Sequence, residues 1–426
     1  MKDSGKDLLI TGCSQLLTLR VPAPRRGAQM QNLGLVRDGA LLIREGKIAA
    51  VGTRKQVTKG LKAKGTHDID LEGRVVLPGF VDSHTHLIFA ESRAHEHEKR
   101  IAGATYEEIA KGGGGIISSV RKLRKASRED LKTRAKHHLQ MFAAHGTTTL
   151  EAKSGYGLDL SSEIKTLEVL RELRGEQRLE IATTFLGAHV AAPEYRGRES
   201  DFADLVARVW MPVVARTGLA QFCDVFCDRG AFTAAQAEQV LAAGLRCGLK
   251  ARIHAEQLSH SGGAMVAVKL GAASADHLEM VNARDIRALA ASNVACTLLP
   301  GCHFHLDLKQ RVPARKLISA GAIVALATDF NPGTSPTLNM QMILSLACAQ
   351  LRMSPAEAIS AATINGAYAL RMHDRVGSLE VGKLADFSVF DVDDYREIPY
   401  YFGVNRCSMT FKRGAVVYSK NGHAEK

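Results

Sequence analysis

Eight short apolar runs alternate with helix-forming segments along the middle of this 426-residue chain. The segments between the runs carry apolar residues at helical spacing, as at Leu131, Ala135, Leu139 and Phe142. Eight strand and helix repeats predict a closed, parallel (β/α)8 barrel of the TIM type. An open doubly wound sheet is the structural alternative, but no G-x-G-x-x-G follows the first strand, which disfavours a dinucleotide-binding version. The eight runs are VVLPGFVD, GTTTLEA, LEIATTFLGAH, FCDVFCD, LKARIHAE, ASADHLE, NVACTLLP and AIVALATDF.

The two ends of the chain have a different sequence pattern from the middle. Short strand-like pieces separated by glycines and charges occupy the first part of the chain and return after Gly377. We therefore expect residues 1–77 and 377–426 to form one small β-sandwich domain. Residues 78–376 are then expected to form the barrel.

Charge and composition favour a reduced cytoplasmic enzyme over a nucleic-acid or membrane protein. The net charge of +12 would suit an anionic partner. However, the basic run RKLRKASREDLKTRAKHH lacks interleaved aromatics, which is typical of a solvated helix face, so we expect no nucleic-acid partner. The eight cysteines are scattered, and neither a secretory leader nor a stretch long enough to span a membrane is present. The positive charge could instead serve to attract a small substrate that carries a carboxylate.

Polar residues cluster where the predicted strands end. His84 and His86 are two positions apart in PGFVDSHTH, so an extended strand would point both imidazoles the same way. A metal site is therefore the first hypothesis for this pair, and on spacing alone a pair of core histidines is the alternative. Active sites of such barrels lie at the carboxyl ends of the strands, however, and the later strands end in further candidates. These are Glu151, Lys153, Tyr156, His189, Asp228, His254, Asp276, His277 and Asp329.

The strand ends predict one hydrolytic metal site. His84, His86, His254 and Asp329 offer three nitrogens and one oxygen, a mixture that suits one zinc or ferrous ion. Strand four ends without a lysine that could be carboxylated into a bridge, so one ion is favoured over two. Asp329 is a candidate general base, and His277 a candidate for stabilising an oxyanion.

Two further H-x-H triplets are weaker candidates. His95 and His97 lie in a charge-dense segment that looks helical, which indicates a solvated face. His303 and His305 follow the seventh strand and are candidates for substrate contacts.

Several motifs carry a family resemblance over nearly the whole chain. PGFVDSHTH, ATDFNPG and GSLEVGKLADF resemble the metal-dependent amidohydrolase superfamily. IAGATYEEIAKGGGGI, EAKSGYGLDL and DFNPGTSP resemble, more specifically, the imidazolonepropionases, hydrolases of histidine degradation. The resemblance implies hydrolysis of the ring C–N bond of 4-imidazolone-5-propanoate to N-formimidoyl-L-glutamate by a metal-activated water. It also implies a homodimer, and a mobile lid at Gly112 to Gly115 would fit such a site.

The resemblance also implies roles for individual residues. It gives the same four metal ligands as the strand ends, and it adds a set of substrate or product contacts. Gln257 stands where some relatives carry glutamate, and an amide cannot act as a base, so ring binding is expected there. The alternative function is another amidohydrolase, such as a mononuclear-metal deaminase of a nucleobase-like ring; a non-enzymatic scaffold would be expected to have lost its ligands. The implied substrate contacts are Arg93, Tyr156, His189, Gln257, Asn331, Gly333 and Thr334.

Overall fold

The computed structural model describes residues 7–20, 22–61, 66–105, 108–109, 112–176 and 178–422. Its strands form two sheets, and most of the helices lie between the strands of the sheet made by β6 to β13. The strands are β1 Asp7–Leu17, β2 Leu35–Arg44, β3 Lys47–Thr53, β4 Thr66–Asp70, β5 Val75–Pro78, β6 Phe80–Asp82, β7 Thr147–Lys153, β8 Glu180–Ala188, β9 Phe222–Cys227, β10 Lys250–Ala255, β11 Ser274–His277, β12 Ala295–Leu298, β13 Ile323–Leu326, β14 Phe387–Phe390, β15 Cys407–Lys412 and β16 Ala415–Ser419.

The α-helices vary from one turn to nearly five. They are α1 Arg54–Thr58, α2 Ala94–Ile101, α3 Gly115–Lys125, α4 Arg128–Ala144, α5 Leu160–Glu176, α6 Glu199–Leu205, α7 Met211–Thr217, α8 Ala234–Arg246, α9 Gly263–Leu270, α10 Ala283–Ala291, α11 Pro300–His305, α12 Ala314–Ser319, α13 Met340–Leu351, α14 Pro355–Ala361, α15 Ile364–Ala369 and α16 Glu397–Tyr400. Two short 3-10 helices, Gly27–Gln31 and Pro193–Tyr195, and one π-helix, Val206–Trp210, complete the set. None of the helices within the described ranges combines the length and the apolar character that crossing a bilayer requires.

Strands β6 to β13 form a parallel barrel in sequence order. The first and last strands meet only just beyond their carboxyl ends, where Thr85 bridges to Phe330. There the amide of Asp329 donates to the carbonyl of His84 at 3.1 Å, and the amide of His86 donates to the carbonyl of Phe330 at 2.8 Å. The barrel therefore closes at the level where the predicted ligands lie, which confirms the predicted fold class.

All eight apolar runs contribute a barrel strand, but the first run is divided between two sheets. VVLP is β5 of the other sheet, and FVD is β6 of the barrel. The chain passes from one sheet to the other at Gly79, where a Cβ atom would lie 2.2 Å from the Thr148 side chain. A side chain larger than hydrogen does not fit there.

The second sheet is built from both chain ends, as predicted. Its strand order is β16-β15-β14-β5-β1-β2-β3, with β4 paired to β1, and we call it the end sheet. Residues from its β1, β2, β3, β5, β14 and β15 share one apolar core. The sheet is attached to the barrel by α4, for example through the Thr410 hydroxyl, which donates to the Ala143 carbonyl at 2.7 Å. The domain limits at 77/78 and 376/377 stay a prediction.

Helix α4 shows how the helices pack. Ser127 caps it by accepting from the amide of Asp130. The four apolar residues whose spacing predicted this helix are all buried, each no more than 1% exposed: Leu131, Ala135, Leu139 and Phe142. The basic run of the sequence, residues 121–138, covers the end of α3 and continues on the polar face of α4, where Arg128 and Lys132 pair with glutamates of α5. Those cations are therefore used in surface ion pairs.

Candidate active site

The predicted ligands converge at the carboxyl end of the barrel. His84 and His86 follow β6, His254 lies in β10, and Asp329 follows β13; each is at most 3% exposed. The Nε2 atoms of His84 and His86 lie 3.5 and 3.6 Å from Asp329 Oδ1. The Nε2 atom of His254 lies 3.4 Å from that of His86. Four side chains from distant parts of the sequence thus point their donor atoms at one small volume.

His277, the last residue of β11, lies in the same cluster. Its ring centroid is 5.5 Å from that of His254 and 5.7 Å from that of His84. Two overlapping groups therefore have ligand atoms within 4.8 Å of one another: His84, His86 and Asp329, and His84, His254 and His277. His277 is close enough to act on whatever the other four residues bind.

The donor atoms suit a divalent metal ion. The Nδ1 atom of His84 lies 2.7 Å from Asp276 Oδ2, and that of His254 lies 3.1 Å from Asp224 Oδ2. Each carboxylate accepts a hydrogen bond from the Nδ1–H group and so fixes the tautomer of its histidine. The Nε2 atom then keeps a free lone pair for a metal ion, the usual arrangement around a metal-binding histidine. The buried Nε2 atom of His84 has no hydrogen-bond partner among the described residues, so a cation would satisfy it.

Burial also favours the protonation states that metal binding requires. It lowers the pKa of His84, His86 and His277 well below the usual histidine range, so these rings are neutral near pH 7. Burial raises the pKa of the Asp329 carboxyl to about 7. A cation beside this carboxyl favours its ionised form. The cluster can therefore hold a divalent ion and keep a carboxylate that exchanges protons near neutral pH.

Arg93 lies at the amino end of α2, against the loop that follows Asp329. It is 4% exposed, and two of its guanidinium nitrogens have no hydrogen-bond partner among the residues that the structure describes. Its Nε atom is 3.7 Å from the Glu96 carboxylate, whose other oxygen accepts from the Gly115 amide at 3.0 Å. A buried guanidinium with free donors suits a carboxylate ligand.

The guanidinium packs directly on Gly333. A Cβ atom on Gly333 would lie 1.2 Å from the Arg93 Nη2 atom. The backbone amide of Arg93 also donates to the carbonyl of Pro332 at 3.1 Å. The absence of a side chain at Gly333 therefore sets the position of Arg93.

We expect Gly333→Ala to raise KM about as much as Arg93→Ala, roughly 10- to 100-fold, because either change loses the charge-assisted bond to a substrate carboxylate. The turnover number should change much less, since the carboxylate is remote from the reacting bond. Steady-state kinetics of both variants measure this. Gly175→Ala is the matched control, because a Cβ atom there meets nothing within 4 Å and KM should stay at the wild-type value. An unchanged KM in Gly333→Ala would show that another residue holds the carboxylate.

Tyr156 and His189 border the cluster on the side of β7 and β8. The His189 ring stacks on His86 with centroids 5.2 Å apart, and the Tyr156 ring lies 5.7 Å from His86. Burial lowers the pKa of His189 to about 3, so this ring is neutral. Its Nδ1 atom lies 2.9 Å from the Gly155 carbonyl oxygen. Both residues are placed to contact a ligand beside His86.

The loop that carries Tyr156 is held by a residue that sequence reasoning missed. The buried carboxylate of Glu163 accepts hydrogen bonds from the amides of Gly155, Gly157 and Leu158 at 2.8 to 2.9 Å. Its position near the start of α5, shortly after SGYGL, was the available signal. Glu163 thus fixes the conformation of SGYGL.

The remaining predicted contacts occupy two further loops. Asn331 accepts from the amides of Gly333 and Thr334 at 2.9 and 2.7 Å, so its side chain shapes the loop after β13. Gln257 donates from Nε2 to Cys302 Sγ at 3.4 Å, and Asp228 accepts from its backbone amide at 2.8 Å. Direct contact of these residues with substrate stays a prediction. Glu96 links Gly115 to α2, and the lid predicted at Gly112 to Gly115 also stays a prediction; residues 106, 107, 110 and 111 of the preceding motif lie outside the described residues.

The weaker histidine triplets occupy more specific positions than the sequence indicated. His97 stacks on His305 with centroids 4.5 Å apart, so it is not simply part of a solvated face. An Nη2 atom of Arg100 lies 2.9 Å from His305 Nε2 and donates to the Gly333 carbonyl at 3.2 Å. His303 is buried. The tertiary packing of α2 against α11 brings these residues together, and their spacing in the sequence carries no such signal.

Comparisons with known proteins agree with the motifs. The amidohydrolase family model matches residues 75–417. The chain is 47% identical to the imidazolonepropionase of Solibacter usitatus over 416 residues, covering 97% of this chain and 99% of that protein. It is 44% identical to the imidazolonepropionase of Geobacillus kaustophilus, covering 97% of this chain and 98% of that protein.

Solved structures with the same fold are more distant in sequence. Guanine deaminase from E. coli superposes with a TM-score of 0.72 at 17% identity, over 98% of this chain and all of that one. An adenosine deaminase from Xanthomonas campestris, solved with bound zinc, gives a TM-score of 0.70 at 17% identity, over 96% of this chain and 92% of that one. At this level of identity, the likeness supports the fold alone.

Proposed function

This chain belongs to the amidohydrolase family and, within it, to the imidazolonepropionases, and we propose that it hydrolyses 4-imidazolone-5-propanoate to N-formimidoyl-L-glutamate in histidine degradation. The observation that carries the proposal is the convergence of His84, His86, His254 and Asp329 beside a buried Arg93. A ring with a carboxylate tail needs both a site that activates water and a cation for the tail.

We assign His84, His86, His254 and Asp329 as the ligands of one divalent ion, either zinc or iron. Three imidazole nitrogens and one carboxylate oxygen suit either metal. When bound, such an ion lowers the pKa of a water molecule and polarises the substrate carbonyl. Asp276 and Asp224 keep His84 and His254 in the required orientation.

Asp329 then transfers the proton, and His277 stabilises the negative charge that develops on the substrate oxygen. Asp329 accepts a proton as the water oxygen adds to the ring carbonyl carbon. Neutral His277 donates a hydrogen bond to the oxygen that becomes negatively charged. The C–N bond of the ring then breaks, and Asp329 returns the proton to the leaving nitrogen. One water is consumed: one of its protons goes to the leaving nitrogen, which stays in the product as the formimidoyl group, and the other is released to solvent when the new carboxyl group ionises.

Residues other than the proposed metal ligands hold the substrate. Arg93 binds the propanoate carboxylate, while Tyr156, His189 and Gln257 contact the ring. Asn331, Gly333 and Thr334 form the loop on which Arg93 rests and which faces the product. We further propose that the enzyme works in the cytoplasm as a homodimer on this small molecule, without nucleic acid or membrane.

We expect purified protein to hydrolyse 4-imidazolone-5-propanoate, to lose this activity with a chelator, and to regain it with zinc or ferrous iron. Elemental analysis of the same samples should give one ion per chain. An ammonia assay with guanine, adenosine and cytosine tests the alternative, since a deaminase releases ammonia and a ring-opening hydrolase of this substrate does not. Ammonia release without imidazolone hydrolysis would overturn the proposal.

A further inference from the structure

A group of fully buried charges lies in the barrel interior beside the proposed metal ligands. Glu151 and Lys153 belong to β7, Asp224 to β9, Arg252 to β10 and Asp276 to β11, and none of the five side chains is exposed. Burying a charge without a partner costs several kcal/mol. Two cations must therefore compensate three carboxylates here.

Lys153 contacts all three carboxylates. Its Nζ atom lies 2.7 Å from Glu151 Oε1, 2.8 Å from Asp224 Oδ2 and 4.0 Å from Asp276 Oδ2. Burial alone would lower the pKa of Lys153, but Asp224 and Glu151 raise it above the usual lysine value. The ammonium group is therefore charged and cross-links β7, β9 and β11.

Each of these carboxylates holds a histidine-bearing segment: Glu151 and Asp276 hold the segment of His84 and His86, and Asp224 holds His254. Glu151 Oε2 accepts at 3.0 Å from the amide of Thr85, which separates His84 from His86. Asp276 lies 2.7 Å from the His84 Nδ1 atom, and Asp224 lies 3.1 Å from the His254 Nδ1 atom. Through these carboxylates, Lys153 is one residue removed from the rings of His84 and His254 and from the backbone amide that precedes His86.

We propose that Lys153 is a positioning residue that sets the affinity of the site for its divalent ion. By fixing three carboxylates, it fixes the rings of His84 and His254 and the backbone between His84 and His86 before the ion binds, so less freedom is lost on binding. Arg252 does not replace it: its Nη2 atom pairs with Asp276 at 3.1 Å and donates to the Ser83 carbonyl at 2.6 Å. Among the described lysines and arginines, Lys153 is the one within ion-pair distance of Asp224. The inference rests on the proposed metal site.

The test is the zinc affinity of Lys153→Met, measured by competition with a chromophoric chelator. We expect binding about 10- to 100-fold weaker than in the wild type. This is the range found when residues that support metal ligands through hydrogen bonds are replaced. The visible absorption of the cobalt(II)-loaded protein should change as well, because it reports ligand geometry. Lys412→Met is the matched control: Lys412 is 1% exposed and pairs with Asp386 at 2.5 Å in the end sheet. Its zinc affinity and cobalt spectrum should equal those of the wild type.

A second variant covers the case in which Lys153→Met does not fold. Lys153→Met combined with Glu151→Gln removes one carboxylate together with the ammonium group and should bind zinc equally weakly. Wild-type zinc affinity in a folded Lys153 variant, or the same loss in Lys412→Met, would overturn the inference and leave the proposed function intact. A wild-type protein that binds neither zinc nor ferrous iron would overturn the proposed metal site, and this inference with it.

Discussion

His254→Ala should abolish bound metal and hydrolysis together, lowering kcat/KM by more than about 1,000-fold, or about 4 kcal/mol of transition-state stabilisation. The imidazole supplies one of four proposed ligands, and its Nε2 atom lies 3.4 Å from that of His86. The substitution also leaves the buried carboxylate of Asp224 without its histidine partner. The alanine substitution therefore removes a ligand and also leaves the negative charge of Asp224 less well compensated.

Elemental analysis and steady-state kinetics on the same preparation check this prediction. His67→Ala serves as the control, because His67 is exposed on β4 of the end sheet and should keep wild-type metal content and turnover. Thermal unfolding followed by circular dichroism shows whether the His254 variant is folded. Full turnover in His254→Ala would refute the assignment of the ligands.

Asp329→Asn should lower kcat by about 100- to 10,000-fold, the usual contribution of a positioned general base. Asparagine preserves the size of the side chain and one oxygen but cannot accept the proton. KM should change little, because Arg93 and the ring contacts are unaltered. Asp393→Asn, at an exposed aspartate, is the control and should leave kcat unchanged.

The pH profile separates a lost base from a lost ligand. Burial raises the pKa of the Asp329 carboxyl to about 7, and a bound cation lowers it from there. Wild-type kcat should therefore fall as the pH drops below neutrality, because protonation removes the base. The residual activity of Asp329→Asn should lack this acid limb. An acid limb that persists unchanged in the variant would assign the base to another residue.

The convergence of the proposed ligands could be predicted because of a general property of parallel barrels. All strands point the same way, so their carboxyl ends meet at one face whatever the intervening helices do. Polar residues at those ends, such as His84, His254 and Asp329, must then lie near one another. That argument needs only the order of the strands, and the alternation of apolar runs gives this order.

Residues inside the strands escaped this reasoning. Asp224 and Arg252 lie three residues before the ends of β9 and β10, in the middle of these strands. Their structural role depends on which side chains face them inside the barrel: Asp224 pairs with Lys153, and Arg252 pairs with Asp276. The point at which the first apolar run divides was missed for a similar reason, because the Thr148 side chain that Gly79 must accommodate belongs to another strand.

The barrel, the end sheet, the family and the proposed metal ligands could all be inferred from the amino-acid sequence. These follow from local periodicity and from motifs that are contiguous along the chain. How the proposed ligands are held depends on contacts that form only in the folded chain. Asp276 reaches His84 across 192 positions of sequence, and Lys153 joins carboxylates from three strands. Buried charges must be compensated by whichever groups the fold brings within a few ångströms, and no local pattern records those partners.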